Sequence, residues 1–355
     1  MTFCVGLEAT KRCNFSCEHC FVDAGRPRAA EMDAAAMKSL LRDLARCGVT
    51  TIAWSGGEPL LRADLEEISG AGFAHGLEFT LATNGYLADR KRLESLIKCG
   101  LKVIQIGLDG PTPFRATKIR KGPSDAFQRA VQAAVDAVSI GLTVHLCCLF
   151  TPATASEFEE MVAFARSLGV HGLRYAMWMP VGRAAGISYD EQNWPSSEVG
   201  HFFRQLPQAQ QPDFCVLVDC PMGPCPGRES FQCKAGRETA YITSDGDVYP
   251  CTALMTSAYR VGNIKQASVE ELLFSEDILH IRRELAGHTP SGLCTACKIR
   301  KSCHGGCPGR TVAAFGKFIG GKHGGAPPMC LYRSHGAGDF PVSQETIPAI
   351  RQDFR

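Results

Sequence analysis

From residue 3 to about residue 180 the chain alternates short apolar runs with longer amphipathic stretches. The runs at 3–9, 50–55, 77–83, 102–109, 143–150 and 173–179 read as strands. The stretches at 33–47, 62–72, 88–99, 124–140 and 155–168 carry apolar residues at helical spacing, clearest in the last. Gly48, Gly100, Gly141 and Gly169 each follow such a stretch, where a left-handed C-cap suits glycine. Repeating strand–helix units predict a parallel sheet covered by helices. Six strands fall short of the eight that close a barrel, so the expected architecture is an α/β, open, partial (β/α)6 TIM-like barrel over residues 1–180.

Beyond residue 180 the pattern changes. Residues 181–232 are rich in Pro, Gly and Ser and read as a bridging region. Residues 233–335 form an irregular cysteine-rich domain, with a hairpin-like segment at 240–251 and one helix near 268–286. Residues 336–355 read as a C-terminal tail. Packing alone is too little to hold a region so irregular, and metal clusters would supply the missing stability.

Composition narrows the function class. The chain has 355 residues, 45% hydrophobic and 21% charged, as in soluble globular enzymes. A net charge of +2 points to no nucleic-acid or membrane-surface partner. No stretch has transmembrane length and no signal peptide is apparent, so a cytoplasmic location is expected. The outlier is cysteine. Eighteen cysteines without a secretion signal do not read as a disulfide framework. Cys4, Cys47, Cys99, Cys147 and Cys148 are scattered enough to be small buried hydrophobes. Most of the others fall in two clusters with thiolate-ligand spacing, which suits zinc or iron–sulfur centres.

The first cluster is Cys13-x3-Cys17-x2-Cys20, directly after the first predicted strand. Three thiolates on a short loop can hold three irons of a four-iron cube and leave the fourth open to a small molecule. The competing reading is a zinc site completed by His19 or a distant residue. Three further motifs follow at predicted strand ends: Ser55-Gly56-Gly57-Glu58-Pro59, Thr83-Asn84-Gly85 and Leu108-Asp109-Gly110. A parallel α/β barrel places its active site at those ends. The glycines let backbone approach a ligand closely, and Glu58 can accept a bond from a cationic amine. Asn84 and Asp109 serve equally well as turn-capping residues or as ligand contacts.

The triad together with the Gly-Gly-Glu segment resembles the radical SAM superfamily over about residues 4–180. The resemblance implies that Cys13, Cys17 and Cys20 ligate a reducing [4Fe–4S] cluster whose free iron chelates S-adenosylmethionine (SAM). It implies further that Gly56, Gly57 and Glu58 hold the methionine amine and that Arg120 pairs with the SAM carboxylate. Reductive cleavage would then give a 5′-deoxyadenosyl radical that abstracts hydrogen from a substrate C–H bond, with the electron supplied by a flavodoxin or ferredoxin type donor. One departure is that many relatives carry Ser before Leu-Asp-Gly, where this chain has Gly107. A ribose hydroxyl contact is then either lost or supplied elsewhere.

The second cluster reads Cys233-x12-Gly246-x4-Cys251, then Cys294-x2-Cys297-x5-Cys303-x3-Cys307, then Cys330. Seven cysteines exceed one site, and a pair of zinc ribbons is the structural alternative. The spacing is similar to the SPASM extension of radical SAM enzymes. That resemblance implies two auxiliary [4Fe–4S] clusters, three in all: Cys233, Cys251 and Cys307 on the first, and Cys294, Cys297, Cys303 and Cys330 on the second. Cys225, Cys220 or Cys215 could complete the first, with Cys225 the nearest; otherwise an iron stays open. A free cysteine there could instead donate hydrogen. Enzymes of this family act mostly on ribosomal peptides or proteins, by crosslinking, epimerisation or oxidation, and others modify small molecules such as tetrapyrroles. With the triad starting at residue 13 there is no room ahead of it for a peptide-recognition domain, so a separate recognition protein is one expectation. The non-enzymatic alternative is an iron–sulfur or zinc scaffold that carries electrons. An open iron beside an amine-binding glutamate has no use in such a scaffold. His145, His171 and Tyr175 lie near the fifth and sixth strands as acid–base candidates, with a structural role the better reading for each.

Overall fold

The computed structural model describes residues 3–179, 181–186, 196–219, 233–287 and 306–315. Strand β1 (Phe3–Thr10) is followed by helix α1 (Ala34–Arg46), and the alternation then runs through β2 (Val49–Gly56), α2 (Leu65–Phe73), β3 (Glu78–Thr83), α3 (Arg90–Lys98) and β4 (Leu101–Gly107). A short helix α4 (Pro113–Ala116) and α5 (Ala126–Ser139) lead to β5 (Thr143–Leu149). Helices α6 (Pro152–Ser156) and α7 (Phe158–Ser167) lead to β6 (Gly172–Ala176). The six expected strands pair in parallel, in chain order.

Alternation within each strand divides the sheet into two faces. Val5, Leu7, Ile52, Trp54, Phe79, Leu81, Ile104, Ile106, Val144, Leu146, Leu173 and Tyr175 are all buried in the main core. They pack against the helices. Trp54 stacks on Phe79 at 5.8 Å, and its indole N–H donates to Ser69 on α2 at 3.0 Å. The intervening positions include Gly6, Glu8, Ala53, Ser55, Thr80, Gln105, Gly107, His145, Cys147 and Arg174, which are smaller or polar and line the concave side.

The sheet is larger than the pattern predicts. Residues 181–232, read as a bridge, contain helix α8 (Ser196–Ala209) and strand β7 (Cys215–Val218), which adds parallel to β6. Phe202 of α8 is fully buried against Phe150, Phe158 and Tyr175, with centroids 4.8–4.9 Å apart. On the other edge, β8 (Thr239–Ile242) pairs parallel to β1. It forms the expected hairpin with β9 (Asp247–Tyr249), and β10 (Gly262–Asn263) completes the edge. One ten-stranded sheet results, ordered β10-β9-β8-β1-β2-β3-β4-β5-β6-β7, and it is not closed. The helix expected near 268–286 is two, α9 (Val269–Leu273) and α10 (Glu276–Gly287), followed in the described residues by α11 (Pro308–Phe315). Among the described residues no helix is long and apolar enough to cross a membrane.

Candidate active site

The four motifs meet at the C-terminal ends of β1 to β4. The cysteine loop leaves β1 at Thr10 and is fastened on three sides. Gly57 N–H donates to Thr10 O at 2.9 Å and Glu58 N–H to Arg12 O at 2.8 Å. A Cβ on Gly56 would lie 2.6 Å from Thr10 O, and one on Gly57 2.8 Å from Lys11 O. The two glycines therefore let the β2 loop lie backbone to backbone against the start of the cysteine loop, a reason independent of any ligand. On the second side, Ser16 N–H donates to Lys121 O at 2.7 Å and Glu18 N–H to Ile119 O at 3.0 Å, which brings the Arg120 segment alongside.

The carboxylate of Glu58 is buried and satisfied. Its Oε1 accepts from Leu60 N–H at 3.0 Å and the Thr83 hydroxyl at 2.8 Å, and its Oε2 accepts from Asn84 N–H at 2.8 Å. Burial raises its pKa, and these donors act against that rise. Glu58 thus ties the β2 and β3 ends together. Asn84 carries the tie onward: its Nδ2 donates to Asn14 Oδ1 at 2.8 Å, inside the cysteine loop. Its Oδ1 accepts from Tyr86 N–H at 3.0 Å, an Asx turn.

Arg120 and Asp109 form a buried two-point ion pair, Nε to Oδ2 at 2.6 Å and Nη2 to Oδ1 at 3.3 Å. Asp109 Oδ1 also accepts from Leu149 N–H at 2.7 Å. The unusual Gly107 has a local explanation: a Cβ there would sit 2.8 Å from Arg120 Cζ. The guanidinium fills the place a side chain at 107 would take.

Burial pushes the Cys13 thiol up to about 12 and raises that of Cys17, with the neighbouring Cys20 adding to both. A bare thiolate is therefore disfavoured here, and cationic iron reverses that preference. Backbone N–H groups already point at sulfur, Phe15 to Cys13 Sγ at 3.4 Å and Ala24 to Cys20 Sγ at 3.2 Å. Such bonds tune iron–sulfur sites. Among the described residues, Asn14 Nδ2 and His19 Nδ1 are buried without a hydrogen-bond partner. Three soft donors on one loop beside orphaned polar atoms fit a cluster that carries a polar ligand. Burial lowers the His19 pKa to about 4, so the ring is neutral near pH 7. Among the described residues no three His, Cys, Asp or Glu side chains converge as ligands of a single metal ion.

In the second array, Cys233, Cys251 and Cys307 lie close enough that Cys251 and then Cys233 add to the burial that pushes Cys307 up to about 12. Cys215 sits on β7. Cys220, Cys225, Cys294, Cys297, Cys303 and Cys330 lie outside the described residues.

Comparison with known proteins agrees with this site. The family model described as the radical SAM superfamily matches residues 7–165. That described as SPASM, an iron–sulfur cluster-binding domain, matches residues 233–298. The chain belongs to the radical SAM superfamily and is an enzyme that uses iron–sulfur chemistry and SAM. It is 23% identical over 351 residues to AdoMet-dependent heme synthase from Nitratidesulfovibrio vulgaris, covering 93% of this chain and 92% of the relative. It is 28% identical to PqqA peptide cyclase from Xanthomonas axonopodis pv. citri, covering 87% and 84%. The fold matches Streptococcus suis SuiB bound to precursor peptide SuiA, with TM-score 0.70, 17% identity and coverage of 93% and 76%.

One contributor has no sequence signature. Arg183, in a 3₁₀ turn at Gly182–Gly186 after β6, reaches the cysteine loop through backbone carbonyls. Carbonyl contacts leave no motif to read.

Proposed function

We propose that this enzyme uses its SAM-derived radical on a ribosomally made peptide or a protein, in a crosslinking, epimerising or oxidising step. The observation that carries the reading is the meeting of the cysteine loop, the Gly-Gly-Glu loop and the Asn84 and Asp109 turns over one mouth of an unclosed sheet. An unclosed sheet leaves room for an extended chain beside the reacting centre, and two proteins similar to this one carry a peptide in their descriptions. Cys13, Cys17 and Cys20 hold the SAM cluster. Cys233, Cys251 and Cys307 hold the first auxiliary cluster, with Cys225 as the fourth ligand, and Cys294, Cys297, Cys303 and Cys330 hold the second. In this reading the barrel covers 1–180, the bridge 181–232, the SPASM domain 233–335 and the tail 336–355.

When bound, the cluster and SAM supply a one-electron bond cleavage that gives a carbon-centred radical able to take hydrogen from an unreactive C–H bond. The protein's own residues position and shield. Glu58 and Asn84 fix the mouth, and the backbone they hold, from Gly56 to Glu58, presents carbonyls to the methionine amine. Arg120, neutralised by Asp109, turns its remaining donors to the SAM carboxylate. The concave wall of Ser55, Gln105, Cys147 and Arg174 faces the substrate. Electrons arrive from a flavodoxin or ferredoxin type donor, a separate protein presents the peptide, and reduced thiols suit a cytoplasmic setting.

A second reading, the same chemistry on a tetrapyrrole, is favoured by the likeness to heme synthase along nearly the whole chain. Incubation of the reconstituted enzyme, SAM and reductant with peptides encoded beside its gene, followed by mass spectrometry, separates the two. A peptide mass change supports the proposal. Unchanged peptides together with turnover of a tetrapyrrole overturn it. Three cubes predict about twelve iron and twelve sulfide per chain.

A further inference from the structure

The cysteine loop has a third fastening, and it comes from the far side of the sheet. After β6 the chain turns back at Gly182, whose φ is +60°. A Cβ at Gly182 would lie 2.6 Å from Cys20 O, so only glycine lets this backbone approach the loop. The next residue makes the contacts. Arg183 N–H donates to Cys20 O at 2.9 Å, Nη1 donates to Cys17 O at 2.7 Å, and Nη2 donates to Ala24 O. Its Nε lies 3.3 Å from Asp23 Oδ1.

These contacts fall where the loop is under strain. Asp23 is the one non-glycine residue with positive φ, +49°, among the described residues. A left-handed non-glycine residue persists where its surroundings hold it. Here the Arg183 guanidinium holds the Asp23 carboxylate and the Ala24 carbonyl together. The turn it secures aims Ala24 N–H at Cys20 Sγ, 3.2 Å away. The same side chain places a fixed positive charge beside the peptide units of two cysteines of the triad. Its field also contributes, in a minor way, to the lowered His19 pKa.

We infer that Arg183 is a positioning residue of the SAM cluster: it locks the Cys17–Ala24 turn in its ligating shape and holds the cluster's potential up with its charge. This rests on the reading that Cys13, Cys17 and Cys20 carry that cluster. The two roles separate by substitution. Arg183→Lys keeps the charge and loses the two-carbonyl fork. Arg183→Gln loses the charge and most of the fork.

The test uses the full chain, reconstituted anaerobically, with two readouts on the cluster whose EPR signal responds to SAM. One is iron loss to a chelator and the other is the midpoint potential in a dye-mediated titration. Outer-shell partners of metal ligands are worth about 10- to 100-fold in affinity, so chelator loss from Arg183→Gln should quicken by about that factor. Its midpoint should move to more negative values, because the electron-rich state loses a nearby cation. Arg183→Lys should lose iron faster than wild type while keeping a near-wild-type midpoint. Circular dichroism and the auxiliary-cluster signals check that each variant is folded. A folded Arg183→Gln with wild-type chelator loss and midpoint overturns the inference. So does a Gln variant whose midpoint matches that of Lys. A wild-type chain with no SAM-responsive cluster overturns the underlying reading, and the inference with it.

Discussion

The two ends of the sheet are built in different ways. From β1 to β6, strands of five to eight residues alternate with helices, and every second side chain enters one continuous core. On the other edge β8, β9 and β10 are four, three and two residues long. Strands that short bury little by themselves. The edge leans on its neighbour instead. Glu8 on β1, fully buried, pairs with Arg28 at 2.7 Å and accepts from the Ser244 hydroxyl in the β8–β9 turn at 2.7 Å. Glu31 bonds the same hydroxyl at 3.2 Å and Lys11 N–H at 2.7 Å. The cysteine loop and the cysteine-bearing hairpin therefore share one polar anchor. A self-sufficient barrel can be read from its periodicity, whereas a region held by ligands and borrowed contacts cannot.

The contrast is sharpest under metal loss. A Cys251→Ala, Cys307→Ala double variant should expose residues 233–315 to protease within minutes while 3–179 stays protected. Equal protection of both regions would break the comparison. Next in size is Glu8→Gln, which strands a buried cation and should cost about 3 kcal/mol in a denaturant titration of the full chain. A change under about 0.5 kcal/mol, the level of an ordinary surface substitution, would show that the anchor is dispensable.

Gly107→Ser probes the barrel alone. The hydroxymethyl group displaces Arg120, and overpacking of 1–3 kcal/mol predicts about tenfold weaker SAM binding by equilibrium dialysis. Unchanged affinity would mean that the guanidinium can move aside freely. The smallest effect is on pH. Burial, then His171 and Arg174, lowers His145 from its ordinary 6.5 to about 4. The unfolded chain then binds more protons than the folded one between those values. Stability contributed by the neutral ring is complete above pH 6.5 and falls as the pH drops towards 4. The thermal midpoint should thus decline by a few degrees between pH 7 and pH 5, less steeply in His145→Leu. Parallel profiles for the two proteins would refute the assignment.

The six strands and all four strand-end motifs were legible because a period of two, glycine punctuation and thiolate spacing are local signals. Strand β7 and helix α8 were not, since a four-residue strand among Pro and Ser carries no period of its own. What makes α8 a core helix is Phe202, and its partners Phe150 and Tyr175 lie far off in sequence. The helix read at 155–168 breaks at Glu157 for the start of α7, a register change that amphipathic spacing passes over. Gly107 suggested a missing hydroxyl, whereas its role is steric and depends on a residue in another loop. Glu58 suggested a ligand group, and its oxygens are engaged by Leu60, Thr83 and Asn84.

The central claim is that the loop of Cys13, Cys17 and Cys20 supports SAM cleavage. Anaerobically reconstituted protein, given SAM and a low-potential reductant, should form 5′-deoxyadenosine, and Cys17→Ala should abolish it while keeping its auxiliary clusters. A protein that holds zinc and forms none, or a Cys17→Ala variant as active as wild type, would contradict the account.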